Sequence, residues 1–63
     1  MTFTIKQETR GGRYVGIEQD KAGLYIVTLA VEHSNGLYRA LKRYTSHNRK
    51  NALQTYNRYR REL

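Results

Sequence analysis

This sequence predicts an α+β fold: a three- to four-stranded antiparallel β-meander followed by one C-terminal helix packed on one sheet face. Three observations predict it. Two N-terminal stretches alternate polar and apolar residues, as half-buried strands do. Short glycine-containing turns separate the apolar runs. Near the C-terminus the spacing of apolar residues switches from two to the three-and-four pattern of a helix.

Thr2 to Glu8 places Phe3, Ile5 and Gln7 on one side and Thr4, Lys6 and Glu8 on the other. The segment contains β-formers, so it predicts a strand. Arg10-Gly11-Gly12 follows as a turn, because glycine takes positive φ without a steric penalty. Arg13 to Gln19 then alternates again through Val15 and Ile17, which makes a hairpin.

Asp20-Lys21-Ala22-Gly23 is a turn candidate. Leu24 to His33 is long, β-branched and apolar on both faces, the pattern of a central strand. Leu24, Ile26, Thr28 and Ala30 lie on one side, and Tyr25, Val27, Leu29 and Val31 on the other. Both sides want cover, and one helix covers only one.

Ser34-Asn35-Gly36 contains Asn-Gly, a strong hairpin signal, because both central residues of a type I′ turn need positive φ. Leu37 to Tyr44 is then expected to pair back. Leu37, Ala40, Leu41 and Tyr44 also fit helical spacing, which leaves a helix-turn-helix open, but the turn chemistry favours a strand. Thr45 or Ser46 is a candidate N-cap for the last helix, whose stripe is Ala52, Leu53, Tyr56, Tyr59 and Leu63.

The chain has 63 residues, enough for one domain, and no cysteine, so neither disulfides nor thiolate metal sites supplement its core. The N-terminus alternates where a signal peptide would be apolar, and the apolar run from Leu24 to Val31 is far shorter than a bilayer span. A cytoplasmic protein without membrane contact is expected. The formal net charge is +7. Up to Tyr38 the chain is balanced, with Lys6, Arg10, Arg13 and Lys21 against Glu8, Glu18, Asp20 and Glu32. From Arg39 onward eight cations face Glu62 alone, so the whole excess lies in the last 25 residues. A localised field of one sign repels itself and is easiest to understand if an anionic partner is met there. Cations near the helix C-terminus, Arg58, Arg60 and Arg61, also complement the helix dipole, which gives part of the excess a structural reading.

Catalytic chemistry finds little support. His33 and His47 are the only imidazoles and fall short of a zinc ligand set, and both are expected to face solvent. Ser34, Ser46 and His47 lie in turns without a neighbouring acid, so no triad can be argued. Glu18 and Asp20 are spaced to share a strand face as an acid/base pair, but carboxylates at a turn are more often solvated charges. Gly11-Gly12 is too short for a phosphate loop. No cofactor, small-molecule substrate or enzymatic activity is expected.

The basic segment interleaves its cations with Tyr38, Tyr44, Tyr56 and Tyr59, and arginine outnumbers lysine there six to two. Arginine offers a planar fork to phosphates and guanine edges, and tyrosine stacks on unpaired bases. The expectation is a non-catalytic nucleic-acid-binding protein contacting DNA or RNA through Arg13, Arg39, Lys42, Arg43, Arg49, Lys50 and Arg58. Tyr56 and Tyr59 belong to the helix stripe, which leaves Tyr38 and Tyr44 as the base-facing aromatics. The alternative is a small interaction module or homodimer that uses the uncovered sheet face, with Tyr25, Val27, Leu29 and Val31 as its contact surface. An acidic lipid surface fits less well, because the helix stripe is needed for the core.

The order strand-strand-strand-helix over Arg13 to Leu63 resembles the three-stranded-sheet DNA-binding domains of plant ethylene-response factors and of some phage and transposon integrase N-termini. Arg13-Tyr14-Val15-Gly16-Ile17, Gly23-Leu24-Tyr25, and Ala52 and Tyr56 carry the resemblance. It implies a sheet lying in a DNA groove, read by Arg13, Arg39 or Arg43. Those families place a tryptophan near the second strand, and this chain has none.

Overall fold

The computed structural model describes residues 2–63. Four antiparallel strands run β1 (Thr2–Arg10), β2 (Arg13–Asp20), β3 (Tyr25–Ser34) and β4 (Leu37–Ser46), followed by helix α1 (Arg49–Arg60). The strands lie in the order β1-β2-β3-β4, so each pairs with its neighbour in sequence and both edges are open. Leu37 to Tyr44 is strand, as the turn before it favours.

The helix covers one face. Val15 and Ile17 of β2 register with Leu29 and Val27 of β3, and Tyr25 completes the row. Ala52, Tyr56 and Tyr59 of α1 pack on them, and Ile5, Tyr44, Leu53 and Leu63 close the margins. Val15, Ile17 and Val27 are fully buried. Tyr25, Val27 and Leu29 are therefore core and not available as a contact surface. The uncovered face of β3 is its other side, Ile26, Thr28 and Ala30.

Two bulges re-aim the edge strands. In β1, Thr4 pairs with Glu18 and Lys6 with Ile17, leaving Ile5 extra. The slip moves Gln7 opposite Gly16, away from the side of Phe3 and Ile5, and brings Glu8 opposite Val15 on the helix side. In β4, Lys42 pairs with Leu29 and Ala40 with Ala30, leaving Leu41 extra and half exposed.

Turn chemistry follows the glycines more closely than the sequence suggests. Gly11 (φ 57°) and Gly12 (φ 79°) both take the left-handed conformation, the requirement of a type I′ hairpin. At Asn35-Gly36 only Gly36 does, with φ 83°, so this is not the type I′ pair that Asn-Gly favours. Irregular pairing between Glu32 and Ser34 accompanies it. The Glu32 carboxylate accepts from the Gly36 amide at 3.1 Å and ties the loop down. Asp20 Oδ1 accepts from the Ala22 and Leu24 amides, both at 2.9 Å, which gives that carboxylate a turn-forming role.

The helix begins later than Thr45 or Ser46. Because β4 extends to Ser46, the cap falls to Asn48, whose side chain accepts from the Asn51 amide at 3.0 Å. Ser46 Oγ accepts from the Asn48 amide and steadies the approach. Thr55 is buried with its hydroxyl donating to the Asn51 carbonyl at 3.0 Å, so a polar residue sits in the packed face without an unmet group.

A chain of this size is held by only a few kcal/mol, about 0.05–0.15 per residue. Leu29→Ala is expected to cost about 3 kcal/mol, leaving a large unfolded fraction in a urea titration followed by circular dichroism. Gly12→Ala is expected to cost about 1–2 kcal/mol through its φ alone, read as a lower urea midpoint with an unchanged slope.

Candidate nucleic-acid interface

The seven cations expected to contact a polymer are divided among both faces of the sheet and the helix. Lys42 lies opposite Leu29 and Arg39 opposite Val31, both on the helix side of β4. Arg43 lies opposite Thr28, on the uncovered face. Arg49, Lys50 and Arg58 stand exposed on α1. Arg13 lies on the helix side of β2, where its guanidinium donates to the Glu62 carbonyl at 3.0 Å. The fold therefore does not gather Arg13, Arg39 and Arg43 on one sheet face.

Two carboxylates hold part of the charge internally. Glu62 accepts from Lys42 Nζ at 3.0 and 3.2 Å, and the same ammonium lies 5.8 Å from the Tyr59 ring centroid. Glu8, turned inward by the β1 bulge, accepts from Arg60 Nε at 2.8 Å and sits 3.6 Å from Arg10. These exposed pairs contribute little to stability, roughly 0–1 kcal/mol each. Their effect is to assign Lys42 and Arg60 to the sheet–helix junction. Arg39, Arg43, Arg49, Lys50, Arg58 and Arg61 form no ion pair among the described residues.

Arg58 and Arg61 line a cleft of about 370 Å³ between α1 and the β4 edge. Asn51, Gln54 and Thr55 complete its helix wall and Tyr44 forms the strand wall. The first turn of α1 contains Arg49 and Lys50 and no acidic residue, so its cations oppose the helix dipole that Arg58 and Arg60 complement.

The uncovered face has another character. The Tyr14 ring lies across Gly16, where an added Cβ would collide with it. Tyr14 also meets Tyr38 at 5.8 Å between centroids, and Ala30, opposite Tyr14 in register, is buried. Two tyrosines thus roof small residues of the inner strands. Register places Glu18 and Glu32 on this face beside a single cation, Arg43. Tyr38 is exposed here, whereas Tyr44 is half-buried against the core, so the two expected base-facing aromatics lie on opposite sides of the sheet.

The sequence reading passed over Asn51, Gln54 and Asn57, exposed on α1 among its cations. A helical projection from the Tyr56–Tyr59 stripe would have found Gln54 and Asn57, which lie on its far side and must face solvent. His33 and His47 are exposed, as expected. Comparison with known protein families, with curated proteins and with solved structures finds no match.

Burial pushes the Tyr56 hydroxyl above its usual pKa, Glu8 adds to the shift and Arg60 opposes it. Burial, then Glu18, raises Tyr14 in the same way. A phenol whose folded pKa is raised keeps its proton longer folded than unfolded. Its contribution to stability is complete below the unfolded value near 10 and is lost as pH rises through the folded one. Stability in urea is expected to fall above pH 10, and Tyr56→Phe to make that decline shallower while leaving the midpoint at pH 7 little changed.

Proposed function

We propose that this protein is a small non-catalytic nucleic-acid-binding protein that contacts its polymer through α1 and the adjoining side of β4. The observation that supports this reading is the partition of charge in the folded chain. Glu62 and Glu8 neutralise the cations at the sheet–helix junction, while Arg49, Lys50, Arg58 and Arg61 remain exposed and unpaired on and just after one helix. Two of them stand in the first turn, where each costs about 0.3–1 kcal/mol against the dipole. A phosphate backbone offsets that cost and is a partner abundant enough to meet a small basic domain. The reading implies the cytoplasm as compartment.

A second reading, a protein partner or second copy, is favoured by β4 itself. This edge strand exposes Leu37 (65%), Leu41 (50%) and Tyr38 (46%). Unpaired backbone on such an edge is a template for strand addition, although Arg39, Lys42 and Arg43 on the same strand oppose self-pairing. The contact surface on this reading is the β4 edge and the Tyr14–Tyr38 face.

The test is fluorescence anisotropy of labelled DNA and RNA at 50 and 200 mM salt. With about six phosphate contacts, affinity is expected to fall roughly 10³-fold across that range. The triple variant Arg49→Gln/Lys50→Gln/Arg58→Gln is expected to reduce the slope of log K against log salt by about three units. Absence of binding to any polymer at 50 mM would overturn the reading. A concentration-dependent dimer in sedimentation, abolished by Leu37→Ser/Leu41→Ser and indifferent to the triple variant, would support the second.

A further inference from the structure

We infer that α1 is a reading element and that its polymer is duplex DNA, entered through the major groove. This rests on the nucleic-acid reading above and deepens it.

The first observation is the composition of the exposed helix surface. Its exposed positions are the cations Arg49, Lys50, Arg58 and Arg60 and the amides Asn51, Gln54 and Asn57. No acidic residue, hydroxyl or apolar side chain is exposed among them. Solubility is served by a surface with both signs interspersed, and this face carries one. These residue types are instead the donors and acceptors that match base edges in the major groove. Arginine and lysine pair with guanine O6 and N7, and asparagine and glutamine pair with adenine N6 and N7.

The second observation is where the amides stand. Ala52, Tyr56 and Tyr59 anchor α1 to the sheet, and helical periodicity puts Lys50, Gln54 and Asn57 on the side away from it. An α-helix with side chains is about 10–12 Å across, and the major groove of B-DNA is about 12 Å wide. With α1 in the groove, the cleft walled by Arg58, Arg61 and Tyr44 lies along one flank, where a phosphate backbone passes.

The third observation separates duplex DNA from the other polymers. Single strands are held largely by stacking on exposed aromatics. Here Tyr56 and Tyr59 are buried beneath α1, and the exposed Tyr38 lies on the opposite sheet face beside Glu18 and Glu32. The major groove of A-form RNA is too deep and narrow for side chains to read.

The test begins with selection from a randomised DNA duplex pool. The selected site is then compared as duplex DNA, as its separate strands and as the same sequence in duplex RNA, at one salt concentration. Duplex DNA is expected to bind at least about tenfold more tightly than the others, and methylation of guanine N7 in the site to interfere. Gln54→Ala and Asn57→Ala, both exposed and checked for folding by circular dichroism, are expected each to lose about tenfold at one selected base pair. Affinity for random duplex should stay within about twofold. Equal or tighter binding to single strands or RNA, interference confined to adenine N3 in the minor groove, or unchanged preference in both variants would overturn the inference. If salt-dependent binding persists in any of those cases, the nucleic-acid reading stands without it. If no polymer binds, both fall.

Discussion

One helix can cover only one face of a four-stranded sheet, and most of this structure follows from that shortage. Tyr25, Val27 and Leu29 of β3, with Val15 and Ile17 of β2, need a cover, and Ala52, Tyr56 and Tyr59 supply it. Among the described residues there is no second helix for the opposite side. That side is kept shallow with Gly16, Thr28, Ala30 and Ala40, and the Tyr14 and Tyr38 rings lie over it. Aromatic side chains suit such a task, because one ring covers a large area: Tyr14 lies over Gly16, and Tyr38 packs on Tyr14 while staying exposed itself.

The same constraint shapes the electrostatics. Because α1 has a single packed side, the rest of its circumference is solvent-facing, and that is where the basic excess collects. The carboxylates are placed differently. Glu62, just past the helix, pairs with Lys42 of β4, and Glu8, turned inward by a bulge, pairs with Arg60 of α1, so both bridge the sheet–helix junction. Asp20 and Glu32 cap turns. With four of the five acidic residues engaged in structure, the exposed helix retains an unopposed positive surface. The uncovered sheet face, with Glu18 and Glu32, does not share it.

Strand periodicity, glycine turns and the helical stripe were legible in the sequence because each depends on neighbours within a few residues. They sufficed for three or four strands and then a helix, for Tyr25, Val27 and Leu29 as one sheet face, and for Tyr56 and Tyr59 as core. The clustering of charge after Arg39 was legible as well, since it is a property of composition along the chain.

What tertiary structure alone decided was direction. A one-residue bulge exchanges the faces of everything beyond it, and nothing in the composition of Thr4-Ile5-Lys6 or Ala40-Leu41-Lys42 announces where the extra residue falls. The bulges arise from fitting edge strands to a twisted sheet under a helix, a requirement set by the whole fold. They send Glu8 toward Arg60 and leave Leu41 exposed. The cap at Asn48 follows in the same way from how far β4 runs before its pairing with β3 ends. Which cations would be paired and which left free depends on Glu62 and Glu8, residues 20 and 52 positions away from their partners. Ion pairs over such separations are made by packing, so the sequence by itself determined how much positive charge there is, and only the folded chain decided which side of it faces out.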